Sequence, residues 1–296
     1  MIIPGFDFSE GSTVEMWSAK RLPYGPKEGS TAKAARDRLR TALERMAHDE
    51  SQVLCASYTS SKGGRPFDIE NVLAYNVGMG AFARIGQRGM YFERIWAEPP
   101  SRPPGPSFDH HHTYRLAAPP SRPPEGLSVT VDLQEPDLRS VARVWWAVSG
   151  AAAAGTSIQA SRPVSGRFAL HVEIGMFGLA KLHQVIKVLL DGLVAGVQAD
   201  SAPNPEAVAR LSRCLSRPTD DVADRLLNPT SHLIHSDGRL VLPYRKDSQD
   251  SLQWHPADHR CESIAVIVTG PPGLCRLTIT DPGDSEAVAL ANFSNG

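Results

Sequence analysis

The sequence predicts a mixed α/β (α+β) fold of two related halves, and three observations lead to this prediction. Short apolar segments typical of strands alternate with segments of helical periodicity along the chain. In the first half, a strand at residues 52–58 leads into a helix that starts at Asp68. In the second half, a strand at 167–174 leads into a helix at 179–198. A strand–helix unit that occurs twice is typical of an internal duplication.

Proline-rich stretches place the boundary between the halves. Residues 99–106 and 119–124 both contain Pro-Ser-Arg-Pro-Pro, which favours extended backbone over helix. A boundary near 119–125 divides the chain into an N-terminal α/β half, residues 1–120, and a C-terminal α/β half with a β-rich tail, residues 121–296.

The N-terminal half is predicted to begin with a strand at 12–18. Ser30 or Thr31 is a suitable N-cap for a helix that runs to about Met46, with apolar residues at helical spacing. The remaining elements are strands at 52–58, 90–96 and 110–116, a turn at 60–64, and a short helix from Asp68 to about Val77 that Gly78 and Gly80 end.

In the C-terminal half, the helix at 179–198 has the most regular pattern, because its apolar residues follow the i, i+3, i+4, i+7 rule without interruption. Residues 138–154 are ambiguous, although an apolar face and a run of alanines favour helix. The other predicted elements are strands at 127–133, 167–174, 264–268 and 274–279, helices at 205–215 and 219–227, and a hairpin turn at Asp237–Gly238.

Composition narrows the class of protein. The 296 residues, 41% hydrophobic and 21% charged, are ordinary for a soluble globular protein, and no apolar run is long enough for a transmembrane helix. The N-terminus lacks the pattern of a signal peptide, so a cytoplasmic location is the default expectation. Four scattered cysteines without a CxxC motif indicate reduced thiols rather than a disulfide framework.

The charge and the absent motifs exclude several functions. A net charge of -1 argues against a dedicated duplex-DNA binder, whose affinity rests on neutralising phosphates. Basic residues crowd the N-terminal quarter, but neighbouring acids favour a solvated helix face of mixed charge. The chain has no Walker A loop, GxGxxG, GxSxG or HExxH motif, which argues against nucleotide-dependent and serine-hydrolase chemistry.

Two short segments carry the residues behind the functional hypothesis. The first runs from Arg65 to Leu73 (RPFDIENVL), and the second runs from Lys181 to Leu193 (KLHQVIKVLLDGL). Each resembles part of the motif Pro-Asp-hydrophobic-Asp-Asn-two hydrophobics-Lys…Asp of RusA-like Holliday-junction resolvases. In that family, carboxylates gather a divalent metal that activates water, and a lysine stabilises charge at the phosphate. Because the family enzyme is a homodimer, the resemblance implies an internal pseudo-dimer of RusA-like units.

The first segment retains the acids of the motif. Asp68 and Glu70 fall on its two acid positions and Asn71 on its asparagine. The proline is displaced by one position, to Pro66, and the lysine position is Ala74. This copy therefore lacks the lysine.

The second segment retains the other part of the motif. Lys181 and His183 occupy the acid positions, and Gln184 occupies that of the asparagine. Lys187 falls on the lysine, and Asp191 is the candidate for the later aspartate, although it comes sooner than in the family. The two copies are therefore complementary.

The resemblance implies a composite site in which Asp68, Glu70, Lys187 and Asp191 are catalytic and Asp68 and Glu70 bind Mg²⁺ or Mn²⁺, provided that the two motif helices meet. Simpler interpretations stay open. Lys187 and Asp191 are four residues apart, as in a surface ion pair on a helix. Asp68 and Glu70 are also favourable charges for the first turn of a helix.

Histidines offer a second candidate metal site. In a strand, His110 and His112 of the Asp109-His110-His111-His112 run point to one face, as two metal ligands must, but no third ligand is evident. An exposed polar strand is the alternative. His255, His259 and Cys261 lie close together near Asp258, yet their spacing fits a turn at 256–258 better than a zinc site.

The function expected from this resemblance is that of a nucleic-acid-associated subunit or scaffold in DNA processing or defence against foreign DNA, with a degenerate nuclease site. One alternative is an active divalent-metal-dependent endonuclease with the composite site. Another is a protein-interaction component of a multisubunit complex without nucleic-acid contact. The expected partners are DNA or RNA and a further protein, and no membrane.

Overall fold

The computed structural model describes residues 2–47, 49–62, 67–102, 108–123, 126–154, 163–176, 181–227, 232–235, 238–244 and 251–280. Its strands are β1 (Phe6–Ser9), β2 (Thr13–Ser18), β3 (Val53–Thr59), β4 (Gly89–Ile95), β5 (His110–Ala117), β6 (Leu127–Asp132), β7 (Phe168–Ile174), β8 (Val241–Pro243), β9 (Leu252–Trp254), β10 (Cys261–Val268) and β11 (Leu274–Thr280).

The α-helices are α1 (Thr31–Arg45), α2 (Val141–Ala153), α3 (Leu182–Gly196), α4 (Pro205–Leu215) and α5 (Thr219–Leu227). Side-chain caps fix two of the helix starts. The Ser30 hydroxyl accepts a hydrogen bond from the Lys33 amide at the start of α1, and Asn204 Oδ1 accepts two amide hydrogen bonds at the start of α4.

One large, mostly antiparallel sheet runs through both halves of the chain. Its strand order is β1-β2-β5-β3-β4-β10-β7-β11-β6, and β8 and β9 pair separately. Strand β3 is parallel to β4 and antiparallel to β5, while β7 is parallel to β10 and antiparallel to β11. Antiparallel pairing of β4 with β10 joins the two sets at the middle of the sheet. The mixed α/β class predicted from the sequence is therefore confirmed.

The predicted boundary between residues 1–120 and 121–296 falls between β5 and β6. The hydrophobic core crosses this boundary, because buried Leu54 and Phe92 belong to the same cluster as Val172 and Val266. A second cluster around Trp145 joins α2 to α4, α5 and β8. No helix in the described ranges is long and apolar enough to cross a membrane.

One segment predicted as an ordinary helix forms a π-helical turn. The segment predicted as a helix from Asp68 to about Val77 contains a π-helical turn at Asn71–Tyr75 instead. The Asn76 amide donates to the Asn71 carbonyl at 2.8 Å, an i→i+5 bond, and Gly78 at φ 110° then ends the turn. Single π turns of this kind occur often at functional sites. The β1 strand was not predicted, and Asp237 of the predicted hairpin lies outside the described residues.

Close packing of α3 against α2 fixes the position of the second motif. Gly192 and Gly196 face Val144 and Val148, and a Cβ atom built on Gly192 would lie 2.4 Å from the Val144 Cβ. The two helices can therefore approach each other closely because Gly192 and Gly196 have no side chain at the contact. Because Gly192 directly follows Asp191, this contact also sets the position of the charged residues of α3.

Gly192→Ala is expected to destabilise the protein by about 1–3 kcal/mol, because the overlap with Val144 exceeds the gain in helix propensity. Denaturant unfolding measures the change. Gly166→Ala is the matched control, since a Cβ there meets no atom within 4 Å. Equal free energies of unfolding for the two variants would contradict the close packing of α2 and α3.

Candidate metal centre

The first motif places Asp68 and Glu70 at the start of the π-helical segment. The Asn71 side-chain amide donates to Asp68 Oδ2, and the Asn71 backbone amide donates to the Asp68 carbonyl at 3.1 Å. These bonds hold the Asp68 carboxylate against its own turn. Glu70 is 1% exposed, so its carboxyl group lies in the interior, whereas Asp68 stays partly open to solvent.

The second motif lies on α3, and its lysine reaches the acids of the first. Lys187 Nζ lies 2.7 Å from Glu70 Oε1, 3.7 Å from Asp68 Oδ2 and 2.7 Å from Asp191 Oδ1. The hydrogen bond to Glu70 joins residues 117 positions apart in the chain. The two motif segments therefore meet, as the composite-site hypothesis requires. The predicted i,i+4 ion pair between Lys187 and Asp191 is present, but it is not a simple surface pair, since Lys187 is only 27% exposed and contacts three further carboxylates.

A fifth member of the cluster, Asp258, was not predicted as a site residue. It lies in the 3₁₀ turn Ala257–Arg260 that leads into β10, and its Oδ2 lies 3.4 Å from Lys187 Nζ. The Gln198 side chain holds this turn by accepting a hydrogen bond from the Ala257 amide at 2.9 Å. The sequence signal was weak: a single aspartate ahead of a buried strand, in a segment that fits an ordinary turn.

Arg94 of β4 ties the two acid-bearing segments together. Its guanidinium donates to the Phe67 carbonyl, next to Asp68, and to the His259 carbonyl at 3.3 Å, next to Asp258. The same guanidinium lies over the Phe67 ring, 4.3 Å from its centroid. One partly buried side chain, near the end of a central strand, thus sets the spacing between Asp68 and Asp258.

The cluster carries more negative than positive charge. Four carboxyl groups surround one ammonium, and Glu70 Oε2 is buried without a hydrogen-bond partner. Burial raises the pKa of Glu70 to about 7, although the Lys187 charge opposes this shift. Burial likewise raises the pKa of Asp191 and of Asp258. Burial disfavours the Lys187 ammonium, but the surrounding carboxylates, Glu70 first, outweigh this and raise the pKa of the lysine.

The donor set suits a hard divalent cation. Oxygen atoms of Asp68, Glu70 and Asp258 lie within 4.8 Å of one another, and no other group of three potential ligands occurs in the part of the chain that the structure describes. All three ligands are carboxylates, which Mg²⁺ and Mn²⁺ prefer. The unpartnered Glu70 oxygen gives such a cation one ligand atom that nothing else occupies.

The cluster opens into a cleft of about 530 Å³. Asp68, Lys187, Asp191 and Asp258 all line it. Its other lining residues include the cationic, imidazole and aromatic side chains Arg239, His255, His259 and Trp254. Anionic ligands that reach the acid cluster would therefore meet groups able to bind phosphate and to stack on bases.

The predicted histidine pair lies elsewhere, on β5. His110 and His112 do share one face of the strand, because both rings pack against Tyr58. His110 Nδ1 lies 2.7 Å from the Tyr58 hydroxyl, and His112 Nδ1 lies 3.3 Å from the Tyr114 hydroxyl. His112 is fully buried, so the alternative of an exposed strand is wrong there. The described residues provide no third ligand beside the pair.

The buried histidine makes stability depend on pH. Burial lowers the pKa of His112 from 6.5 to about 3. Below pH 6.5, His112 therefore becomes protonated in the unfolded chain but stays neutral in the folded chain. The free energy of unfolding falls as the pH falls. His112→Phe is expected to reduce the loss of unfolding free energy between pH 6.5 and 5 by roughly 1.5 kcal/mol. Urea unfolding at each pH measures this, with His235→Phe at an exposed position as the control. If the unfolding free energies of wild type and His112→Phe fell equally with pH, the lowered pKa of His112 would be refuted.

The other histidine group contributes to the cleft rather than to the acid cluster. His255 and His259 line the cleft, while Cys261 is buried and its thiol donates to the Ser263 carbonyl. All four cysteines are free thiols, as predicted.

A comparison of the chain with protein-family models gives no match, and a search of curated protein sequences gives none either.

Proposed function

We propose that this protein is a divalent-metal-dependent nucleic-acid phosphodiesterase with a composite site from its two halves. The observation that carries the proposal is the meeting of Asp68 and Glu70 with Lys187 and Asp191 in one partly buried cluster. These are the residues that the resemblance to RusA-like resolvases selects from two segments more than 100 positions apart. A role in DNA processing or in defence against foreign DNA follows from that resemblance.

The charge of the cluster supports a metal. When ionised, four carboxylates and one ammonium leave an excess of negative charge in a partly buried place, which is costly unless protons or a further cation balance it. Asp68, Glu70 and Asp258 would hold Mg²⁺ or Mn²⁺. When bound, such an ion supplies an activated water and Lewis-acid stabilisation of the phosphate.

The protein side chains have separable tasks. Lys187 lies where its ammonium can stabilise charge that develops on a phosphate oxygen. Asp191 holds the lysine from one helical turn away, and Asn71 holds the Asp68 carboxylate. Trp254 and Arg239 in the same cleft offer a base-stacking surface and a phosphate contact.

The order of the sheet supports a duplicated ancestor. On one side of the central β4–β10 pair, β2–β5 and β5–β3 are antiparallel and β3–β4 is parallel. On the other side, β6–β11 and β11–β7 are antiparallel and β7–β10 is parallel, so the two sides have the same order of pairings. Helix α1 follows β2 as α2 follows β6, and the π-helical turn follows β3 as α3 follows β7. We therefore interpret the chain as a pseudo-dimer of RusA-like units, with the segment from α4 to β9 inserted in the second.

A second candidate function has an observation in its favour. Lys187 Nζ lies within 4 Å of all four carboxylates, so its ammonium occupies the space between them. In this alternative the lysine replaces the metal permanently. The chain then binds nucleic acid without cutting it, as a subunit or scaffold with a degenerate site.

A substrate panel tests the proposal. Fluorescent duplex DNA, a four-way junction, single-stranded DNA and RNA are incubated at low and moderate salt, with Mg²⁺, Mn²⁺ or EDTA. Metal-dependent cleavage that Asp68→Asn removes supports the enzyme. Salt-sensitive binding without cleavage supports the scaffold. If the protein neither binds nor cleaves any of these substrates, both functions are refuted. That result would favour a protein-interaction component, and its partner would then be sought by co-purification.

A further inference from the structure

We infer that the described part of the chain contains a single cutting centre and that the protein makes one incision, in one strand, per binding event. This inference rests on the proposed function and adds to it the stoichiometry of the reaction. A symmetric dimer of nucleases presents two identical centres, because every residue of one protomer has its equivalent in the other. The sheet of this chain repeats its pairings about the β4–β10 pair, so each cluster residue has a counterpart in the opposite half.

The counterparts of the two motif acids are not acids. Asp68 directly precedes the helical residue Ile69, and Lys181 is the N-cap residue directly before Leu182. The residue two positions later is Glu70 in the first half and His183 in the second. At the counterpart position, an exposed lysine and a partly exposed histidine therefore replace both carboxylates, and neither provides a hard oxygen ligand.

The remaining members of the cluster also lack equivalents. The position that corresponds to Lys187 is Ala74, and the segment 75–82, which follows it, contains no acidic residue. The segment before β4 that corresponds to the Asp258 turn, residues 83–88, contains no carboxylate either. The counterpart position thus has neither the metal ligands nor the catalytic lysine, and charge reversal at Lys181 makes it suited to holding phosphate rather than a cation.

A centre present once has a consequence for the product. Two equivalent centres cut both strands of a duplex or junction during one encounter. With one centre, the second strand is reached only after release and rebinding in the opposite orientation. Nicked molecules must therefore accumulate before any double-strand product.

The test is a time course on negatively supercoiled plasmid with Mn²⁺, with protein below plasmid concentration, alongside titration of Mn²⁺ into the full chain. We expect nicked circles first and linear plasmid only after a lag. We also expect Mn²⁺ binding that Glu70→Gln removes and that Lys181→Ala combined with His183→Ala leaves unchanged. The Mn²⁺ titration tests the number of metal-binding centres without relying on cleavage activity.

The outcomes separate the inference from the proposed function. Linear plasmid that forms from the first time point at a constant ratio to nicked circles would overturn the single centre while leaving the nuclease intact. Mn²⁺ binding that is retained in Glu70→Gln but weakened in the Lys181/His183 variant would also overturn the single centre. Absence of both cleavage and Mn²⁺ binding would overturn the inference together with the proposed function.

Discussion

Glu70→Gln is expected to abolish metal-dependent cleavage while the protein stays folded. Glutamine has the size of glutamate, so the buried packing around residue 70 is retained, but its amide is a poor ligand for Mg²⁺ or Mn²⁺. Loss of a group that merely orients a metal ligand costs on the order of 10- to 100-fold, so loss of the ligand itself should lower kcat/KM by about 100-fold or more. Rates are measured on the plasmid substrate at saturating Mn²⁺.

Thermal unfolding provides a readout that does not need a substrate. Bound metal stabilises the native state by about 2.7 kcal/mol when its concentration is 100 times its Kd. We expect Mn²⁺ to raise the melting temperature of the wild type and to leave that of Glu70→Gln unchanged. In the absence of metal, the variant should be no less stable than the wild type, because the substitution removes one charge from an over-acidic cluster.

Glu93→Gln is the matched control for this experiment. Glu93 is also a partly buried carboxyl group with a raised pKa, caused mainly by burial, but it lies on β4 outside the acid cluster. Its replacement should leave cleavage and the Mn²⁺-induced shift intact. Asp258→Asn, in contrast, should behave like Glu70→Gln. Full Mn²⁺-dependent activity in Glu70→Gln would remove that residue from the centre.

Local patterns in the sequence predicted most of the elements, and the resemblance to the RusA-like motif selected four of the five clustered residues. The spacing of Lys187 and Asp191 on α3 follows directly from helical periodicity, as does the burial of the opposite face of that helix. What periodicity cannot provide is the meeting of α3 with the Asp68 segment. That contact depends on the pairing of β4 with β10, whose partners Phe92 and Ile264 are 172 positions apart, and a motif has no information on this pairing.

Asp258 and the π turn were missed for physical reasons of the same kind. The role of Asp258 comes from its position beneath Lys187, which Gln198 and Arg94 fix through hydrogen bonds to neighbouring backbone atoms. Neither contact has a sequence signature. The π turn has the composition of an ordinary helix, and three of its residues, Val72, Leu73 and Ala74, are buried in the core. Tertiary packing, rather than propensity, decided both features.

Lys187→Met is expected to have the second large effect, and it separates the two candidate functions. Methionine retains the length of the side chain but removes the ammonium that pairs with four carboxylates. Without metal, the variant should lose about 3 kcal/mol of unfolding free energy at pH 8, because charges are left unpaired in a partly buried place. Lys181→Met, an exposed lysine at the start of the same helix, should have little effect.

Mn²⁺ should restore most of the stability of Lys187→Met, because a divalent cation replaces the missing charge between the carboxylates. If the protein is a metal-dependent nuclease, wild type also binds Mn²⁺, and Lys187→Met binds it more tightly yet cuts more slowly, since the group that stabilises the phosphate is gone. If the lysine has replaced the metal, only the variant binds Mn²⁺. A Lys187→Met protein as stable as wild type without metal would contradict the ion-pair cluster itself, because the four carboxylates would then have no need of a cation.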